Sequence, residues 1–394
     1  MDKLEEEVFA IERILSKQND TFGSPYLFGD LGGKTLFYFY LWKYYRLDKY
    51  HDIAFKTLEK ILSKVSISKL DYSICSGISG IAWLIDICNR EGFIQESADD
   101  IFPSLEDELS KCIKLSFADK NMDYLHGGTG ALIYLLNKAS QGAYNVENLT
   151  LLLDNLLANC TLISDNMACT TYFSRSKNNA HHNTINLGVS HGMISVMHAL
   201  NLFLKLKIRS DEVRSMLDKM INLIMFVTNN TVNEYYFPYD IDLRELTKKS
   251  GSRIAWCYGD LGNSAVLYDL SYKVGRSDLE LKLQEIIKSV CKLSIEKQSI
   301  KDGSLCHGLI GNALLCNYLN QHLEDDDLYS LVSTNLNLYI SKFPDSINYR
   351  KHFIVNVGYR DNNTLLEGLS GIGLGLLTIL KNDKPLWTEI LLLN

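Results

Sequence analysis

Two short segments of this chain carry thiol and imidazole chemistry at a repeated spacing: Trp256-Cys257-Tyr258-Gly259 and Leu305-Cys306-His307-Gly308. Each cysteine stands two places before a glycine, and the two glycines are 49 residues apart. Two thiolates and an imidazole suit Zn²⁺, and three protein ligands leave its fourth position for water or substrate. Cys257, Cys306 and His307 are therefore candidate ligands of a catalytic rather than a structural zinc. A cysteine at a buried glycine turn is otherwise a small apolar residue, which is the reading for Cys75 in the same register.

The glycines of these two segments belong to a longer series. Gly29-Asp-Leu-Gly32, Gly77-Ile-Ser-Gly80, Gly127-Gly-Thr-Gly130, Gly192-Met-Ile-Ser195, Gly259-Asp-Leu-Gly262, Gly308-Leu-Ile-Gly311 and Gly368-Leu-Ser-Gly371 make seven copies, the fourth with serine for its second glycine. They are spaced by 48, 50, 65, 67, 49 and 60 residues, a period that marks repeated supersecondary units. Apolar runs such as Lys34 to Tyr45 and Ile81 to Cys88 follow the glycines and read as helices buried on several faces. Between them lie ordinary amphipathic stretches; Leu4, Val8, Ile11 and Leu15 form one helical stripe. Each repeat then holds an outer helix, a loop, the glycine turn and an inner helix. Seven such hairpins closing on themselves predict an all-α toroid, two concentric layers of seven helices. The residue before each glycine converges on one mouth: Phe28, Ser76, His126, His191, Tyr258, His307 and Glu367.

Composition bounds the alternatives. With 394 residues, 46% of them hydrophobic, the chain can bury a large core. A net charge of −7 speaks against a general nucleic-acid binder. The apolar runs are too short to span a bilayer, and Glu5, Glu6 and Glu7 stand where a secretory signal would be basic. Nine cysteines in a chain of this size read as thiols in a reducing, cytoplasmic compartment, with Cys88, Cys112, Cys160, Cys169, Cys291 and Cys316 inert. No linker divides residues 1–394, which read as one domain. Two stretches exceed the repeat length, around 160–185 and 229–252. The first is polar, with Ser174, Lys177, Asn178, Asn179, His181 and His182; the second holds Tyr235, Tyr236, Phe237 and Tyr239. Insertions in repeat folds map to loops, often on the binding face.

Arg253-Ile-Ala-Trp256-Cys257-Tyr258-Gly259, Ser304-Leu-Cys306-His307-Gly308, Gly188-Val-Ser-His191-Gly192 and Leu366-Glu367-Gly368-Leu-Ser-Gly371 resemble the signature segments of the lanthionine synthetase C-like family, the lantibiotic cyclases. The resemblance spans the whole chain. It implies a double-layered toroid of fourteen helices around a zinc ion. It also implies addition of peptide cysteines to dehydroalanine or dehydrobutyrine, closing lanthionine or methyllanthionine rings. By position it makes His191 the acid/base and Asp123 the group that orients it. Arg253 becomes the stabiliser of an enolate or the anchor of a carboxylate, and Tyr258 the neighbour of a zinc cysteine. The implied partners are a dehydrated precursor peptide, a separate dehydratase and an export transporter, with peripheral attachment to the inner membrane face through them. Ser195, and His126 at a place commonly acidic in the family, depart from the pattern without touching a zinc ligand.

Blander readings stand beside these. His191 could be a turn histidine, His126 a satisfied polar contact, and Asp123 and Arg253 an ion pair with each other. Glu367 could cap a helix or bind a leader peptide. At the level of function, addition of glutathione to dehydrated residues and a non-catalytic peptide-binding scaffold are the alternatives. Prenyl transfer is disfavoured, because those zinc toroids use an aspartate, a cysteine and a histidine.

Overall fold

The computed structural model describes residues 3–65, 71–142, 145–163, 165–169, 184–229, 234–242, 245–249, 251–298, 300–341 and 347–393. They form two compact units interleaved in the chain, the first from within 1–103 and 293–393 and the second from 104–292. The first unit begins with α1 (Lys3–Leu15), α2 (Asp30–Tyr45), α3 (Asp48–Lys64), α4 (Ile78–Arg90) and the single turn α5 (Ala98–Ile101). The second holds α6 (Leu105–Ala118), α7 (Gly128–Ala139), α8 (Val146–Leu157), α9 (Met193–Lys205), α10 (Ser210–Thr228), α11 (Asp260–Val274) and α12 (Ser277–Cys291). The chain returns to the first unit as α13 (Ile295–Gln298), α14 (Leu309–Leu323), α15 (Asp326–Ser341) and α16 (Leu369–Lys381). Among the described residues these include fourteen helices of twelve residues or more.

Each of the seven motif glycines caps the N-terminus of a helix: α2, α4, α7, α9, α11, α14 and α16. In the first unit α2 packs between α4 and α16, α14 lies on the other side of α16, and α1, α3 and α15 back this row. In the second unit α9 packs between α7 and α11, backed by α6, α8, α10 and α12. The two helix types differ as their sequences predict. Every residue of α16 from Leu369 to Thr378 is buried, while α1 buries Val8, Ile11 and Leu15 on one side and leaves Leu4 half-exposed.

Five of the seven turns before the capped helices share one hydrogen bond. The amide after the glycine donates to the carbonyl six residues before it: Ile78 to Asp71, Gly128 to Asn121, Asp260 to Arg253, Leu309 to Asp302 and Leu369 to Asn362. In four repeats an Asn or Asp at that place also caps the turn, its Oδ1 accepting the amide two residues on: Asn121 from Asp123, Asn186 from Gly188, Asp302 from Ser304 and Asn362 from Thr364. The second glycine of the motif lets the turn fold tightly, since a Cβ on Gly311 would collide with the Leu305 carbonyl. Ser195 fits the fourth turn by donating its hydroxyl to the Gly192 carbonyl at 2.9 Å.

The stretches expected as loops contain short strands. β1 (Cys160–Ile163) pairs with β2 (Asn166–Cys169), and β3 (Thr184–Asn186), β4 (Asp240–Asp242) and β5 (Glu245–Lys249) form a three-stranded sheet. A third hairpin, β6 (His352–Ile354) with β7 (Gly358–Arg360), precedes α16. Ser174, Lys177, Asn178, Asn179, His181 and His182 lie outside the described residues. The expectation that all nine cysteines are thiols is corrected at one place. Cys160 and Cys169 face each other across β1 and β2 with Cα atoms 4.5 Å apart and form a disulfide. That separation is typical of a non-hydrogen-bonded cross-strand pair, which brings side chains closest. No helix among the described residues is long and apolar enough to cross a membrane.

Candidate active site

In the second unit the turns before α7, α9 and α11 are stitched side by side. The Leu125 amide donates to the Ser190 carbonyl and the Ser190 amide to the Cys257 carbonyl, each at 3.3 Å. This ladder brings the groups next to it together. Asp123 is buried, and its two oxygens do different work. Oδ1 accepts the His126 amide at 2.8 Å and holds the carboxylate in its own turn. Oδ2 lies 2.7 Å from Nδ1 of His191 on the neighbouring turn. A carboxylate so placed selects the imidazole tautomer with hydrogen on Nδ1 and stabilises the imidazolium once formed. The ring of His126 stacks on that of His191 at 5.8 Å. Asp123 and Arg253 thus take different partners.

Arg253 occupies the place that Asn or Asp holds in five other repeats. It cannot cap the turn as they do, and its guanidinium donates instead to Cys257 Sγ at 2.8 Å, an arrangement suited to a thiolate. The same guanidinium lies over the Tyr258 ring, 5.8 Å from its centroid. The turn accommodates the change at Gly259, with φ of +96°, where a Cβ would run into the Arg253 carbonyl. Tyr258 is buried; its hydroxyl accepts from Asn186 Nδ2 at 2.8 Å, and its ring meets Tyr239 at 5.3 Å. Gly188 leaves the room, because a Cβ there would stand 2.6 Å from the Tyr258 ring. The aromatic segment is held down by Asp260 in the first turn of α11, which accepts the amides of Tyr236 and Phe237. Burial pushes the Asp260 carboxyl up to about 7, against those two amides.

In the first unit the turn before α14 carries Cys306 and His307. Cys306 is buried and its amide donates to the Leu366 carbonyl at 2.8 Å, the same lateral stitch seen in the second unit. His307 Nδ1 is buried and has no hydrogen-bond partner among the described residues. Its Nε2 lies 3.7 Å from Oδ2 of the fully buried Asp302. His352, first residue of β6, puts Nδ1 3.6 Å from the same oxygen and Nε2 3.6 Å from Glu367. Burial works to raise the Asp302 carboxyl, but His352, the charge of His307, the Phe353 amide and Ser304 together hold it below the usual range. His352 is raised chiefly by Asp302. Asp302 and His352 escaped the sequence reading. For Asp302 a signal existed, an Asn or Asp six residues before the motif glycine; His352 sits in a hairpin outside the repeat and had none.

The chain belongs to the lanthionine synthetase C-like family, whose sequence model, described as lanthionine synthetase C-like protein, matches residues 31–392. Among solved structures it is similar to nisin cyclase, with a TM-score of 0.74 and 21% identity over 99% of this chain and 96% of that one. That likeness establishes the all-α, α/α-toroid fold expected from the seven repeats. No curated protein matches the sequence significantly.

Proposed function

We propose that this protein is a zinc-dependent peptide cyclase that adds cysteine thiols to dehydroalanine and dehydrobutyrine of a dehydrated precursor, forming lanthionine and methyllanthionine thioether rings. The observation that carries the reading is the His191–Asp123 pair, set by one backbone ladder beside Cys257 with its arginine. In this reading residues 1–394 act as one cytoplasmic domain, supplied by a separate dehydratase and followed by an export transporter, with membrane contact only through such partners.

Cys257, Cys306 and His307 are the proposed zinc ligands. The donor set fits the metal: two buried sulfurs, one facing a guanidinium, and an imidazole whose buried Nδ1 is otherwise unsatisfied. Zinc, when bound, supplies a substrate sulfur that stays thiolate at neutral pH, where a free thiol with pKa about 8.5 is mostly protonated. The chain's own residues do the rest. His191, with hydrogen on Nδ1 held by Asp123, uses Nε2 to take a proton and return one. As sulfur bonds to the β-carbon, the double-bond electrons move to the α-carbon and carbonyl as an enolate. His191 then protonates the α-carbon, so the thiol hydrogen is replaced and no mass is gained or lost. Arg253 keeps Cys257 anionic and in place, and Tyr258 supports the arginine from below.

The test is mass spectrometry of a dehydrated precursor, with alkylation counting the cysteines that remain free. Wild-type protein is expected to remove free thiols well above the slow uncatalysed background. Binding without closure above that background would favour the scaffold, and addition of free glutathione in preference to the peptide's cysteines would favour the glutathione reading.

A further inference from the structure

The buried carboxylate behind His307 has no part in the chemistry above, yet both of its oxygens are partnered. Asp302 Oδ1 accepts the Ser304 amide and hydroxyl at 3.0 and 2.7 Å, which fixes it in the ligand turn. Oδ2 accepts the Phe353 amide at 2.8 Å, which ties β6 to that turn. The tie is reinforced on both sides, by the Gly303 amide to the Tyr349 carbonyl and the Tyr359 hydroxyl to the Lys301 carbonyl, each at 2.9 Å. The same Oδ2 faces two imidazoles. His307 Nε2 is 3.7 Å away and His352 Nδ1 3.6 Å, and the donor atoms of all three residues lie within 4.8 Å of one another. Glu367 closes the series beyond His352. The result is a chain of alternating carboxylates and imidazoles, Glu367–His352–Asp302–His307, ending on a ring whose other nitrogen is buried without a partner among the described residues.

We propose that Asp302 and His352 are positioning residues for His307: the carboxylate, 3.7 Å from Nε2, orients that edge of the ring electrostatically so that Nδ1 is the atom offered to the metal, and His352, 3.6 Å from the same carboxylate and from Glu367, keeps it aimed. The inference deepens the proposed zinc site and rests on it. A ligating histidine is oriented by what its second nitrogen meets, and loss of such a partner typically weakens metal binding about 10–100-fold. The β6–β7 hairpin thereby acquires a role in metal affinity that the repeat motif alone does not provide.

The measurement is zinc affinity of the full-length protein by competition with a chromophoric chelator, alongside the near-ultraviolet thiolate band of the cobalt-loaded form. His352→Ala leaves the ligand turn untouched, and Asp302→Asn keeps an oxygen to cap it. Both are expected to bind one metal with the thiolate band intact but about 10-fold or more weaker. The melting temperature of metal-free His352→Ala stays that of wild type, whereas that of Asp302→Asn falls because its amide no longer accepts from Phe353. Wild-type affinity in both variants would overturn the inference. A second equivalent of metal without thiolate character, lost on Asp302→Asn, would overturn it as well, because the residues would then be ligands themselves. Failure of the underlying site looks different: no thiolate band in wild type, or a band unchanged by Cys257→Ala and Cys306→Ala.

Discussion

At the scale of single residues, the proposed function assigns proton transfer and metal binding to different groups. His191 touches Asp123 and the rings of His126 and Tyr258, whereas Cys257 touches Arg253. His191→Asn is therefore expected to keep its metal and bind dehydrated peptide while ring closure slows about 100-fold or more, the usual cost of losing a general acid. Free-thiol counts over time, read beside zinc content, check this. Cys306→Ala should lose the thiolate-bound metal and ring closure together. A second residue-level outcome concerns the hairpin cysteines. Denatured in chelator without reductant, the protein should take up alkylating agent at seven cysteines, and at all nine after reduction, because Cys160 and Cys169 are paired.

At the scale of elements, the turn is the working unit. Glycine at its corner and an Asn or Asp six residues earlier recur, and the fifth turn exchanges its cap for Arg253 at the cost of a left-handed glycine. Gly259→Ala should thus be more damaging than an exposed substitution: the φ of +96° disfavours any side chain, and the added Cβ meets the Arg253 carbonyl. A loss of about 2 kcal/mol or more is expected in urea unfolding, together with displacement of Arg253 from Cys257. The glycine copies were legible from spacing alone, because only glycine tolerates so close a backbone approach. The Asn/Asp cap recurred in five repeats but was easy to overlook, since Gly23 and Arg253 stand at that place in the first and fifth.

At the scale of the whole molecule, stability should respond to pH through buried groups. Asp260 has its folded pKa raised to about 7, above an unfolded value of about 3.9. A raised folded pKa means the native state holds the proton more tightly. Its contribution is complete below the unfolded pKa and is lost as pH climbs from about 4 to about 7. His198, buried and lowered to about 3, acts in the opposite sense and costs stability as pH falls below about 6.5. The difference between wild type and Asp260→Asn isolates the first group. Relative to the variant, wild type should lose a few kcal/mol between about pH 4 and pH 8, since each tenfold difference in proton affinity between the folded and unfolded chain is worth about 1.4 kcal/mol. Urea midpoints across that range measure it.

The periodic features of this protein are written in its sequence. Seven glycine corners, the buried helices behind them, and the register that sets Cys257, Cys306 and His307 at helix N-termini all follow from local rules: steric permission at glycine and the spacing of apolar residues. Contacts between segments distant in sequence could not be read the same way. That Asp123 turns one oxygen to its own turn and the other to His191, 68 residues on, depends on which turns lie side by side. That Arg253 finds Cys257 while Asp123 does not pair with it depends on the same ladder. The Cys160–Cys169 pairing and the approach of His352 to Asp302 belong to hairpins outside the repeat, where no period constrains the chain. Only the packed backbone brings those side chains within reach of one another, and so decided their partners.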